Sequence, residues 1–226
     1  MTSLRLAIED LYRAFARYPK PTAIEVCPCG CSRENVVCGL LDKPLNGLSL
    51  QDLMLYSADA MTTVGTETDF KYFLPRILDR ITVEEYRYNP EFVFGKLRYA
   101  KLNSSPNGEQ VAVTEYLHSF WCRSLGEYPL TLPAFASISD VVSSIGSAGV
   151  DLSWYLEQWT RADSSASTWN LADLVCEEAH NLKRAGVLIL HSGISCPSRL
   201  TSFPDGWCDR KCYVDCKALT CKTSQV

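Results

Sequence analysis

The side chains best suited to chemistry are the cysteines, eleven in 226 residues, and most of them gather at two places. The run Cys27-Pro28-Cys29-Gly30-Cys31, followed by Cys38, puts four thiols in one short stretch. Structural zinc takes four soft donors in a tetrahedron, and Pro28 and Gly30 supply turns that let alternate side chains converge. The one-residue gaps around Cys29 make ligation by all three neighbours awkward, so packed thiols without a ligand stand as an equal reading. Redox chemistry is the third. Neighbouring thiols form an easily reduced disulfide when one is acidified, and Arg33 is placed in sequence to do that.

In the second cluster Cys208, Cys212 and Cys216 are spaced by four, with Cys221 after them and Cys196 before. On a helix the first three share a face, and Cys221 folding back would close a tetrahedral zinc site. The competing reading is a loosely ordered tail of oxidisable thiols, because the surrounding Gly, Pro and Ser offer little core. Cys176 and His180 also stand four apart, but two ligands do not make a site, and they read as an ordinary pair.

Other catalytic arrangements do not declare themselves. His118, His180 and His191 lie in unrelated contexts, and no serine sits in a nucleophile elbow. Adjacent carboxylates such as Glu84-Glu85 and Glu177-Glu178 point in different directions on a helix and read as solvated. Walker and dinucleotide glycine patterns are absent. In an enzyme the turn Thr62-Thr63-Val64-Gly65-Thr66 would line a cleft, although helix capping explains its threonines more simply.

Charge and hydropathy narrow the partners. With 22 basic and 26 acidic residues the net charge is −4 and the pI about 5.4, which is the opposite of the basic surface that holds nucleic acid. No run approaches the roughly 18 apolar residues of a membrane span. Met1 to Asp10 alternates charged with apolar residues, unlike a signal sequence. The expected location is the cytoplasm, where thiols stay reduced and close spacings favour zinc over a disulfide framework. The odd cysteine count also fits poorly with complete pairing.

The elements that must position these groups read as helices. Leu4, Ile8, Leu11 and Phe15 form one apolar stripe, ended by Pro19 and Pro21. Ser49 with Asp52 and Thr66 with Asp69 have the form of capping boxes, and the second precedes the strongest stripe, Phe70, Phe73, Leu74, Ile77, Leu78 and Ile81. Pro75 inside that stripe predicts a kink or a restart. Thr82 with Glu85 resembles a further cap, and Asn89-Pro90-Glu91 opens another helix. Later stripes are Val113 to Trp121, Ile138 to Ile145, Leu152 to Trp159 and Leu171 to Leu182, and Val187 to Leu190 reads as strand or buried coil. The expectation is a mainly α fold, an irregular helical bundle or stacked helix pairs over residues 1–191, followed by a cysteine-rich C-terminal tail, 192–226.

Ala14-Phe15-Ala16-Arg17-Tyr18-Pro19, the Cys-Pro-Cys at Cys27 to Cys29, Ala60-Met61-Thr62-Thr63 and Phe70-Lys71-Tyr72-Phe73-Leu74-Pro75-Arg76 resemble the signature segments of a family of uncharacterised bacterial cytosolic proteins with no known activity. The resemblance covers the first third of the chain. It implies a bacterial source and a first cysteine cluster packed near the helix of Phe70 and Leu74, and it transfers no catalytic or ligand residue. The functional expectation is a non-enzymatic protein-binding or adaptor module, of immunity type or otherwise, with zinc held by the cysteines. The alternative is a thiol oxidoreductase or metal-dependent hydrolase built on the same clusters. An exposed aromatic patch near Trp121, Trp154 or Trp159 would favour the binding module.

Overall fold

The computed structural model describes residues 3–28, 35–100, 107–185, 187–189 and 195–197. Within them the chain is mainly α. The order is α1 (Leu4–Phe15), α2 (Asn35–Asp42), a 3-10 turn (Leu45–Gly47), α3 (Leu50–Asp59), α4 (Glu67–Arg80), α5 (Glu91–Tyr99), α6 (Asn107–Gly126), α7 (Ile138–Ser147), α8 (Ser153–Arg161) and α9 (Ser165–Ala185). Two short strands follow, β1 (Val187–Ile189) and β2 (Ser195–Pro197), paired antiparallel with Leu188 opposite Cys196. They stand on either side of the expected boundary at 191/192. Among the described residues no helix is long and apolar enough to cross a membrane.

Local chemistry sets the helix ends. Both expected capping boxes form: Ser49 Oγ accepts from Asp52 N while Asp52 accepts from Ser49 N, and Thr66 and Asp69 do the same for α4. Each such cap stabilises its helix by roughly 1 kcal/mol. α1 buries Leu4, Ala7, Leu11 and Phe15, the face that its apolar spacing requires.

Pro75 does not break α4, which runs as one helix of 14 residues. An internal proline costs about 3 kcal/mol. Phe70, Phe73, Leu74, Ile77 and Leu78 are all fully buried, each contributing roughly 1.5–3 kcal/mol, so packing outweighs the lost donor. The cap expected at Thr82 is absent. Thr82 turns back instead, its hydroxyl donating to the Asp79 carbonyl at 2.7 Å, and it closes α4 rather than opening a new helix. Glu84, expected to be solvated beside Glu85, is instead half-buried and accepts from Leu50 N at 2.7 Å in the first turn of α3. α2 was not expected from the sequence.

α6 is the hub, packing against α1, α7, α8 and α9. Its Tyr116, Phe120 and Trp121 are fully buried. Tyr116 donates its hydroxyl to the Leu78 carbonyl at 2.9 Å, and the Trp121 indole donates to the Tyr155 carbonyl at 2.8 Å, so the polar tips of the large rings are satisfied inside the core. α4 closes one side by packing on α1, and α5 lies against α7. The result is an irregular helical bundle.

Candidate functional site

A cleft of about 290 Å³ opens between the C-terminal half of α1, the 3-10 turn and the middle of α4. Tyr12, Phe15 and Ala16 reach it from one face of α1, and Tyr18 follows just beyond the helix. Pro44, Leu45 and Asn46 form the wall at the 3-10 turn, and Tyr72 and Pro75 form the wall at α4. No charged side chain among the described residues lines it.

Two of its rings are pinned from behind. Tyr12 donates its hydroxyl to Asp79 Oδ2 at 3.1 Å, and Asp79 is itself held by Arg76 at 3.2 Å and Arg80 at 2.9 Å. Burial pushes Tyr12 up to about 12, so it remains a donor throughout the neutral range. Arg76 Nε also donates to the Leu48 carbonyl at 2.6 Å, tying the 3-10 turn's exit to α4.

Tyr18 is held by a second carboxylate, and this one is buried. Its hydroxyl donates to Glu109 Oε1 at 2.8 Å. Glu109, only 1% exposed, sits in the first turn of α6, where the positive helix end favours a carboxylate. Lys71 Nζ, whose side chain is 7% exposed, lies 3.7 Å from Glu109 Oε2 and 2.8 Å from Glu67, one turn back on α4. Burial alone would lower Lys71, but Glu67, Tyr18 and Glu109 together hold it above the usual lysine value. Burial, reinforced by Glu109, likewise raises Tyr18. The Lys71 ammonium and the Arg17 guanidinium stand 5.7 and 5.5 Å from the Tyr18 ring centroid.

The Tyr12 and Tyr18 oxygens, having donated, can still accept, and two further polar groups belong to residues that line the cleft. The Tyr72 hydroxyl and the Asn46 carboxamide have no hydrogen-bond partner among the described residues, and burial alone raises Tyr72. The cleft therefore combines fixed aromatic walls with a hydroxyl and a carboxamide. It offers shape and hydrogen bonds, and among the described residues no nucleophile or charged acid–base pair lines it.

Of the cysteines expected to ligate metal, Cys27 is placed on the segment after α1. Its N–H donates to the Thr63 carbonyl at 2.8 Å, Val26 bridges Val64, and Gly65 N–H donates to the Glu25 carbonyl at 2.7 Å. Gly65 has φ +66°, and a Cβ there would stand 3.3 Å from Ile24, Tyr56 and Asp69, so glycine lets the two segments close up. This fastens the approach to the first cluster onto the turn that leads into α4. Cys38 lies in α2 rather than in a loop. Cys29, Cys31, Cys208, Cys212, Cys216 and Cys221 lie outside the described residues. Among the described residues no three His, Cys, Asp or Glu side chains converge as a metal site.

Three features were missed in the sequence. His118 and Cys122 stand four apart on α6, a spacing that was visible, and the Trp154 ring stacks on His118 with centroids 3.7 Å apart. Burial lowers the imidazole and raises the thiol, so both are held neutral near pH 7, the reverse of an activated thiolate–imidazolium pair. Lys96 is 7% exposed, with Thr62 Oγ1 at 3.4 Å and no carboxylate within ion-pair distance among the described residues. Burial lowers it, against a weaker pull from Asp59, and the adjoining Met61 has φ +60°, a strained value for a non-glycine residue. Exposed aromatics, finally, are not where the tryptophans suggested. Trp121 and Trp159 are buried and Trp154 is half-buried, whereas Phe92 and Tyr99 on α5 are exposed, as are the stacked rings of Tyr128 and Trp169.

No protein-family model, no curated protein and no solved structure matches this chain.

Proposed function

We propose that the chain is a non-enzymatic protein-binding or adaptor module that receives a short segment of a partner protein in the cleft between α1, the 3-10 turn and α4. One observation carries this reading: Tyr12 and Tyr18 are fixed by hydroxyl donation to ion-paired carboxylates, the half-buried Asp79 and the buried Glu109. Rings held in place before a ligand arrives lose little side-chain freedom on binding, which otherwise costs about 0.5–1.5 kcal/mol per side chain. A core-packing role alone does not call for such rings to border an open cleft. The neutral state of Cys122 and His118 also weighs against a thiol enzyme at that pair. Neutralising a toxin by contact, as immunity-type proteins do, is one form such a module takes. Zinc bound by Cys27, Cys29, Cys31 and Cys38 belongs to the same proposal as a structural stabiliser.

The test is selection of binders from a random peptide library against the wild-type protein and Ala16→Trp. Ala16 is exposed at the C-cap of α1 with φ −59°, so an indole there fills the cleft without entering the core. Peptides enriched on the wild type and lost on Ala16→Trp are the expected result. Enrichment that survives Ala16→Trp would place binding elsewhere and overturn the proposal.

A further inference from the structure

We infer that Lys96 is a nucleophilic amine that captures a small aldehyde as an imine, with the Thr62 hydroxyl beside it as the proton relay. The site shares no residue with the cleft between α1, the 3-10 turn and α4, and it stands independently of the protein-binding reading.

Lys96 is 7% exposed and has no carboxylate within ion-pair distance among the described residues, where its ammonium meets one acceptor, Thr62 Oγ1 at 3.4 Å. Keeping a cation in such a position costs stability, and stability given up at a titratable residue points to a functional role. Burial lowers the lysine, so the neutral amine, which is the nucleophilic form, is more plentiful near neutral pH. The backbone supplies a second observation. Met61, next to Thr62, has φ +60° and is held there by its N–H on the Val64 carbonyl at 2.9 Å and by the bridge between Ala60 and Val64. Strain of this kind in a non-glycine residue concentrates at reactive sites. Thr62 itself is exposed, so the nitrogen is reached from the surface beside its hydroxyl.

Charge decides the class of compound captured. Asp59, at the end of α3, is the acidic group whose field reaches Lys96. A carbamate formed from carbon dioxide would place an anion in this buried position, in the field of Asp59. An amide formed from an acyl donor passes through an oxyanion, and the neighbouring N–H groups of Thr62, Thr63 and Val64 are all given to the Asp59 carbonyl. An aldehyde passes through a neutral carbinolamine to an imine, whose nitrogen is far less basic than an amine, so the buried charge is removed. The close covering of Lys96 restricts the aldehyde to a small one.

The Nζ lone pair attacks the carbonyl carbon, and the C–N bond forms as the C=O π pair moves to oxygen. Thr62 Oγ1 takes up a proton from nitrogen and passes its own to that oxygen. The Asp59 carbonyl, which the hydroxyl leaves, keeps its backbone donors from Thr62, Thr63 and Val64. The second nitrogen proton follows the same route, the oxygen departs as water, and the nitrogen pair closes the C=N bond. Amine and aldehyde give imine and water, with no oxidant or reductant consumed.

The experiment incubates the full chain with acetaldehyde and sodium cyanoborohydride, which fixes imines as ethylamines, and maps the products by peptide mass spectrometry. The exposed Lys20 is the internal reference. At pH 7 Lys96 is expected to be ethylated about tenfold faster than Lys20, the gain in neutral amine from a tenfold change in the protonation equilibrium. Thr62→Val is expected to slow Lys96 about tenfold and leave Lys20 unchanged, and Thr62→Ser to restore the rate, with circular dichroism confirming that both variants are folded. Ethylation of Lys96 no faster than that of Lys20, or a rate unaffected by Thr62→Val, overturns the inference. So does an equal preference for Lys96 with the N-hydroxysuccinimide ester of acetic acid that survives Thr62→Val, since that marks a generally reactive amine with no selectivity for aldehydes.

Discussion

Removing the Lys71 ammonium is expected to be the most destabilising single change at the cleft's foundation. In Lys71→Met, Glu109 stays 1% exposed and loses the cation 3.7 Å away, keeping among the described residues Arg17 at 3.9 Å, whose side chain is 60% exposed and screened by water. At an effective dielectric constant of about 20, charges at that separation attract by roughly 4–5 kcal/mol. The methionine recovers part of this by burying an apolar chain, so the expected net loss is about 3 kcal/mol, at the lower edge of what breaking a buried pair costs. For a chain of this size that lowers Tm by about 6–12 °C. Glu109→Gln should cost much less, because the amide oxygen still accepts from Tyr18 and Lys71 keeps Glu67 at 2.8 Å. In Lys71→Met/Glu109→Gln most of the loss should return, since no buried charge is stranded. Urea denaturation of the two single variants and the double variant measures all three terms of the cycle. A loss below about 1 kcal/mol for Lys71→Met, or no recovery in the double variant, would refute the claim that Glu109 depends on Lys71.

Lys96→Met is expected to raise stability at neutral pH by about 1 kcal/mol, or Tm by roughly 2–4 °C, because it removes a buried cation that has no carboxylate partner among the described residues. The sign extends to pH: a lysine lowered by folding binds fewer protons in the native state. Wild-type stability therefore gains a rising component from the depressed native value up to the unfolded lysine value, and alkaline denaturation series should show that component vanish in Lys96→Met. Gly149→Ala should destabilise by about 1–3 kcal/mol, since φ is +79° and a Cβ would stand 2.7 Å from the Arg98 side chain; a neutral thermal melt would contradict this. Zinc measured on protein purified without chelators, together with thiol titration, should give tightly held metal and slow thiols. No metal with one rapidly reacting thiol would favour the redox alternative.

The helices were legible where the cause is local. The apolar spacing of α1 and the boxes Ser49–Asp52 and Thr66–Asp69 involve residues three or four apart, and the structure has all of them. Pro75 misled because its penalty is local whereas the burial that outweighs it comes from partners elsewhere in the chain. The cysteine clusters drew attention by composition, while the cleft carries no compositional mark. Its defining contacts join Tyr12 to Asp79 across 67 residues and Tyr18 to Glu109 across 91. Periodicity places Phe15 on the core face of α1, but nothing in the spacing of Tyr12, Leu45 and Tyr72 tells that they share a wall. His118 and Cys122 were readable as a helical pair, yet the stacking of Trp154 that buries the imidazole depends on how α8 folds back onto α6.

The most direct measurement is an NMR map of the library-selected peptide on the isotopically labelled chain. Shifts confined to Tyr12, Phe15, Tyr18, Leu45 and Tyr72, with Tyr12 and Tyr18 ring signals equally ordered before and after binding, are the predicted result. Shifts centred on the exposed Phe92 and Tyr99 face of α5, or on Tyr128 and Trp169, would contradict it, as would tyrosine rings that become ordered only in the complex.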